Sequence, residues 1–249
     1  MEGYDSTSYG EAFADVYDDW YGDITDLHTA VATLAGLALQ AGQFPIVELG
    51  VGTGRLALPL AQAVHPTPVI GIDSSAAMLA QLANKQSGHP VHAILGDMID
   101  DLPDGPLGVV LVAFNTFFNL GSAQRQRACM RAVADRLDPT GCFIIEALVP
   151  EAPSIDASAV EVKSLTRDRV VLSVSKYTAD DQLAEGQFIE FTEAGGVRLR
   201  PWSIRHVLPG ELDEMAAEAG LMCRQRWQSF AGEPFTTDST RHVSVYARM

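Results

Sequence analysis

One heptapeptide, Glu48-Leu49-Gly50-Val51-Gly52-Thr53-Gly54, constrains this chain more than any other feature. It follows the apolar run Ile46–Leu49, a strand by length and composition, and precedes a helical stretch over residues 55–64. Three glycines at alternate positions permit positive φ and let a ligand approach the backbone closely. A glycine turn between a first strand and its helix lies at the carboxyl edge of an open parallel sheet, where such sheets bind their ligands.

The rest of the chain supports that setting. Strands are expected at 69–72, Val91–Leu95, 109–114 and 142–148, with helices between them. Ser74 or Ser75 caps one helix, and Ser122 opens another that runs to 137 before Pro139 and Gly141 end it. Strand–helix alternation over the first 150 residues predicts a parallel sheet with crossover helices. Pro59 is expected to disturb the first turns of helix 55–64. After Pro150 the rhythm changes. Residues 161–166, 170–177, 187–192 and 198–207 read as strands joined by turns at Arg167-Asp168, Asp180-Asp181 and Ala194-Gly195-Gly196, an antiparallel insertion. A helix at 209–219 and strands at 221–230 and 242–247 complete the core. Ahead of the sheet, residues 8–20 place Tyr9, Phe13, Tyr17 and Trp20 on one side of a helix, and a second helix covers 26–40, closed by Gly42. No repeat or low-complexity linker divides the 249 residues, so they form one domain.

Composition narrows the function. The net charge is −15, from 32 acidic and 17 basic residues, and the basic residues never cluster beyond short groups. Nucleic-acid affinity rests on neutralising phosphates, so no such partner is expected. Cys129, Cys142 and Cys223 show no metal or disulfide spacing and read as reduced core residues. No basic, apolar leader opens the sequence, and its most apolar stretch, 107–114, is too short to span a bilayer. A soluble, cytoplasmic protein is expected, with a small-molecule partner and at most a second copy of itself in a homodimer.

The second acid of the site is Asp73, which ends the next strand 19 positions after Gly54, where a carboxylate can accept the two ribose hydroxyls of an adenosine cofactor. The dinucleotide fingerprint G-x-G-x-x-G would need a third glycine at 55, and that position is Arg55. Glu48, two residues before Gly50, would repel a pyrophosphate but suits the ammonium of a methionyl group. Charge therefore favours S-adenosylmethionine (SAM) over NAD or FAD. The plainer alternative, a glycine turn with two helix-start acids, does not account for the strand-flanked combination.

E-x-G-x-G-x-G followed by Asp73 resembles motif I and the ribose acid of the class I SAM-dependent methyltransferases. Gly96-Asp97-Met98 is similar to that family's adenine-covering segment, Phe114-Asn115-Thr116-Phe117 to its segment after strand four, and Leu137-Asp138-Pro139-Thr140-Gly141 to its turn before strand five. The resemblance implies a Rossmann-like α/β fold with a seven-stranded, mostly parallel sheet. It divides the chain into an N-terminal helical lid (1–44), a SAM-binding core (45–150), an antiparallel acceptor-side insertion (151–208) and a core completion (209–249). It implies cofactor contacts from Tyr9, Tyr17, Glu48, Gly50, Gly52, Thr53, Gly54, Asp73, Ser74, Met78, Asp97, Met98, Phe114 and Asn115. The tyrosine-rich start and the insertion resemble, more weakly, the amino-sugar N,N-dimethyltransferases of antibiotic pathways.

That subgroup implies methyl transfer to an amine, with transfer to oxygen or carbon, or SAM binding without turnover, as alternatives. A neutral amine needs no base, whereas a hydroxyl usually does. His206, at the end of the insertion, and Glu146, a charge within the apolar strand five, are the catalytic candidates. Asn119, Tyr177 and Trp202 are the candidate acceptor contacts, Tyr177 and Trp202 having lid packing as the plainer role. His242 opens the last strand, whose direction the residues leave open. Asn115 and Asn119 lack the charge for a magnesium site, and no metal is expected.

Overall fold

The computed structural model describes residues 1–22, 24–151 and 155–249. Two short helices, α1 (Ser8–Phe13) and α2 (Tyr17–Tyr21), precede α3 (Leu27–Gln40), which Asp26 caps by accepting the Thr29 N–H. The core then runs β1 (Ile46–Leu49), α4 (Ala57–Val64), β2 (Val69–Asp73), α5 (Ala76–Lys85), β3 (Val91–Leu95), β4 (Leu107–Val112), α6 (Ala123–Arg136) and β5 (Leu137–Leu148). Strands β6 (Ala157–Leu165), β7 (Arg169–Thr178), β8 (Leu183–Thr192) and β9 (Val197–Arg205) form the insertion. Helix α7 (Pro209–Glu218), β10 (Leu221–Trp227) and β11 (Arg241–Arg248) end the chain.

The main sheet has the order β10-β11-β5-β4-β1-β2-β3, parallel except for β11, which runs antiparallel to both neighbours. Its central strands are apolar on both faces because both are covered. Val47, Leu49, Val110, Val112, Phe143 and Ile145 pack toward α6 and α7, while Ile46, Val109, Leu111 and Ile144 pack toward α3 and α4. The insertion is a separate four-stranded antiparallel sheet, β6-β7-β8-β9. Its turns fall where expected, with Gly195 and Gly196 both at positive φ. The insertion's expected opening at 151 includes 152–154, which lie outside the described residues.

Several expectations need correction. The single helix over 8–20 is two helices interrupted at 14–16, so the aromatic residues do not form one stripe. Helix α4 starts at Ala57 rather than 55, and Pro59 does not disturb it. Proline there is third in the helix, where the N–H it lacks would have had no partner inside the helix. Strand β4 is shifted to 107–112, because Phe114 and Asn115 adopt positive φ and turn the chain. Strand β5 starts directly at Leu137, whose pairing with Leu107 draws 137–141 into the sheet instead of a separate turn. Strand β10 stops at Trp227, not 230.

Gly71 shows how tightly the sheet fits beneath the glycine turn. A Cβ there would lie 2.6 Å from Val51 Cγ2 and 2.8 Å from Val51 Cβ. Overpacking of this kind costs about 1–3 kcal/mol. Gly71→Ala is expected to lower unfolding stability by that amount in urea titrations; a change under 0.5 kcal/mol, roughly the surface-substitution range, would mean that the turn yields freely.

Candidate active site

Glycine is required throughout the β1–α4 turn: Gly50, Gly52 and Gly54 all have positive φ, at 68°, 57° and 77°. At Gly50 a Cβ would also strike Thr116 Cγ2 at 2.3 Å. The Gly52 N–H donates to Asp73 Oδ2 at 2.8 Å, and the Ser75 N–H donates to Asp73 Oδ1 at 2.9 Å. One carboxylate thus ties the turn to the start of α5. Burial raises the Asp73 pKa against these two bonds. Ser75, rather than Ser74, is the cap of α5, accepting from the Met78 N–H, while the Ser74 hydroxyl donates to the Ser6 carbonyl.

A cavity of about 280 Å³ opens beside the turn. Among the expected cofactor residues, Tyr9, Tyr17, Gly50, Gly52, Asp73, Ser74, Met78, Asp97 and Met98 line it, and Asn119 reaches its rim. The lining also includes residues that the sequence reading missed: Tyr4, Asp5, Ser6, Thr116, Arg125 and Ser203. The N-terminal ones carry no motif, and Ser203 arrives from the separate insertion sheet, so no local signal marks them. Asp97 accepts from Arg125 at 2.6 Å and from the Ile99 N–H at 2.9 Å.

Glu48, Thr53, Gly54, Phe114 and Asn115 lie behind this lining. Glu48 is 4% exposed and its Oε2 has no partner. Desolvation pushes its pKa up to about 8; Arg55 opposes that, while Glu146 and Asp73 add to it. Arg55, noticed in the sequence only because it is not glycine, has a buried Nη1 without a partner, and its guanidinium stands 6.0 Å from the Phe114 ring centre. A buried carboxylate oxygen and a buried guanidinium nitrogen, both without a partner at the two ends of the glycine turn that borders the cavity, match the ammonium and carboxylate of an amino-acid group. On this ground the residues fit the methionyl end of SAM. The Asn115 side chain accepts the Leu148 N–H at 2.7 Å, so it also holds the β4 and β5 ends together.

The N-terminal segment packs across the turn. Phe13 is fully buried and stacks on Tyr9 at 4.3 Å; Tyr21 lies 5.1 Å from Tyr17 and 5.4 Å from Phe114. The Thr53 hydroxyl donates to Asp18 at 2.6 Å, and Lys85 pairs with Asp18 at 2.7 Å. Gly10 permits the approach, since a Cβ there would sit 2.3 Å from Ser75 Cβ.

The catalytic and acceptor candidates divide. Glu146 is half-buried and accepts from the Phe114 N–H at 3.0 Å and from the Thr25 hydroxyl at 3.2 Å, setting the loop after β4. His206 lies outside the cavity lining, its ring 5.9 Å from Phe118 and 5.7 Å from Tyr177, with a buried, unpartnered Nδ1. Burial lowers its pKa. Tyr177 is buried against it, and Trp202 packs on Phe188, 6.2 Å between ring centres, with its buried Nε1 unpartnered. His242 pairs with Ala147, which puts the start of β11 at the carboxyl edge of the sheet. Its side chain is nonetheless fully buried against Ser244 at 2.8 Å, and burial first, then Arg226, lowers its pKa to about 4. Among the described residues no group of three potential metal ligands converges, and no helix is long and apolar enough to cross a membrane.

Comparison with known proteins agrees with this geometry. Residues 46–141 match the methyltransferase domain family. The chain is similar to the CcbJ methyltransferase from Streptomyces caelestis, with 37% identity, 98% of this chain and 99% of that one covered, and a TM-score of 0.86. It shares its fold with CalS10, an amino pentose methyltransferase from Micromonospora echinaspora solved with SAM bound (23% identity, 94% and 97% covered, TM-score 0.66). The sugar N-methyltransferase KedS8 from Streptoalloteichus sp ATCC 53650 has the fold as well (21%, 100% and 99%, TM-score 0.67). No curated protein sequence matches the chain. The chain belongs to the SAM-dependent methyltransferases, enzymes of Rossmann-like α/β fold.

The buried Glu48 carries a consequence for stability. Its folded-state pKa, about 8, lies above the ordinary 4.5, so between those values the folded protein holds a proton that the unfolded chain has lost. Its contribution to stability therefore falls as pH rises through that window. Glu48→Gln is expected to lose less Tm than the parent between about pH 5 and pH 8. Parallel Tm–pH curves for the two proteins would show that Glu48 titrates normally.

Proposed function

We propose that the protein methylates an amine nitrogen of a small molecule of the natural-product or amino-sugar type. The observation that carries this reading is the charge of the cavity wall. Asp5, Asp73 and Asp97 line it, while its one arginine, Arg125, is held by Asp97. Such a wall repels anionic acceptors and draws in an amine, which attacks the methyl group only in its neutral form, after the ammonium has lost its proton. Two proteins of the same fold are described as amino pentose and sugar N-methyltransferases, which supports the same class.

SAM supplies an electrophilic methyl group on a positively charged sulfur. In this reading Asp73 accepts the ribose hydroxyls, Glu48 and Arg55 take the amino and carboxylate groups of the methionyl end, and Asp97 and Met98 border the adenine. Gly50, Gly52 and Gly54 bring the backbone close, with Ser74 and Met78 closing that side. Tyr9 and Tyr17 cover the cavity from the lid, and Thr53 anchors the lid through Asp18. Phe114 and Asn115, held by Glu146 and the Leu148 N–H, shape the floor toward the acceptor. The insertion sheet walls the acceptor side, with Tyr177 and Trp202 supporting that wall and Asn119 at its rim. Orientation and exclusion of water then do most of the work, an effect of about 7–11 kcal/mol in well-aligned displacements.

Two measurements test this. Asp73→Asn keeps the side chain's shape but removes a charged acceptor; S-adenosylhomocysteine affinity by calorimetry is expected to fall about ten- to a hundredfold. Unchanged affinity in the folded variant would remove Asp73 from the cofactor site.

Incubation with SAM and a panel of amino sugars and their hydroxyl analogues is expected to yield N-methyl products by mass spectrometry. A second reading, O-methylation, would enlist His206, whose buried Nδ1 has no partner, as the general base for an acceptor that reaches past the cavity lining. Turnover confined to hydroxyl acceptors and abolished in His206→Asn would overturn the amine assignment in its favour.

A further inference from the structure

Three carboxylates of the lid, Glu11, Asp15 and Asp18, tie it to the rest of the molecule. Glu11 Oε1 accepts from the Ser75 hydroxyl at 2.8 Å and the Ala77 N–H at 3.1 Å, at the start of α5. Asp18 holds Thr53 of the glycine turn and Lys85 at the end of α5. Both of these contacts lie on the cofactor half. Asp15 instead reaches across to the insertion: Arg200 Nη1 and Nη2 donate to it at 2.7 and 3.2 Å, and Arg198 pairs with it at 2.8 Å.

Arg200 is 1% exposed, although it sits on β9, an edge strand of its sheet. It also donates to the Ala12 carbonyl and to Glu190 at 3.1 Å. Its guanidinium stands 5.6 Å from the Trp20 ring centre, and that of Arg169, which pairs with Glu190, stands 5.4 Å from it. The lid thus supplies three of the groups around one buried charge: a carboxylate, a carbonyl and an aromatic face. If the lid lifts, Arg200 keeps only Glu190. Lifting also opens this arginine to water, so the clasp is worth the difference between its lid partners and solvent. The break between α1 and α2 falls at 14–16 and presents Asp15 to this arginine, while Phe13 and Trp20 on either side pack against Phe188 of β8, 5.8 and 5.6 Å between ring centres, so an ion pair and apolar contact together join this segment to the insertion.

We infer that Arg200 is a positioning residue that clasps the cofactor lid to the insertion sheet through Asp15, so that ordering of the lid over the cofactor also orders β9 of the acceptor wall. The inference rests on the lid and acceptor-wall reading given above, but not on which atom of the acceptor is methylated.

Asp15 is the residue to change, since its side chain is 42% exposed and Asp15→Asn leaves no buried hole. Hydrogen exchange on the full chain, with and without S-adenosylhomocysteine, reads the coupling. In the parent protein the ligand is expected to protect residues 8–21 and 197–205 together. In Asp15→Asn it is expected to protect 8–21 while the gain on 197–205 falls by about half or more, with affinity reduced about three- to tenfold. Asp15→Glu, which keeps the charge, is expected to restore both. Undiminished protection of 197–205 in Asp15→Asn would overturn the clasp, as would an Asp15→Glu variant no better than Asp15→Asn. Binding that protects neither segment in the parent would remove the lid reading itself, an outcome separate from failure of the amine assignment, because the probe contains no acceptor.

Discussion

Asp73 accepts two backbone N–H groups, one from Gly52 and one from Ser75, and the rest of the site is arranged around that carboxylate. The first bond holds the glycine turn in its left-handed conformation over the end of β2. The second fixes the entry of α5. With both ends held, the cavity has a floor whose shape does not depend on the loops above it. The same packing explains the absence of side chains at Gly50 and Gly71, where Thr116 and Val51 already occupy the space that a Cβ would need.

Above that floor the structure is held by charge and aromatic contact. Residues before the sheet have no strand to pair with, so their backbone gains nothing from the ladder. Phe13 and Tyr21 bury apolar surface against Met78, and Glu11, Asp15 and Asp18 each find a partner on a different element. Buried apolar area gives such a segment its affinity for the core, while the paired charges select one placement for it. Its partners are spread over the cofactor half and the insertion sheet, so this segment touches both sheets, which share no strand pairing among the described residues.

Glu48 and Arg55 follow a different logic. Both leave a polar atom buried without a partner, an arrangement that folding alone disfavours. The desolvated carboxylate holds its proton more tightly than an ordinary one, which makes the apo site less costly than two bare charges would be.

Local pattern determined the alternating core, the glycine turn, Asp73 at the end of β2, the antiparallel insertion and the cap at Ser122, because strand and helix periodicity and capping chemistry are written in neighbouring residues. The tertiary structure alone decided where the N-terminal helix breaks, that Arg55 lies near enough to Glu48 to oppose its pKa shift, that Trp202 packs on Phe188, and that His242 lies buried at the edge of the sheet. Asp15 and Arg200 are 185 positions apart, and nothing in either neighbourhood marks them as a pair. Their meeting depends on the insertion sheet folding back toward the N-terminus, a long-range arrangement fixed by apolar burial over the whole chain rather than by any local run of residues.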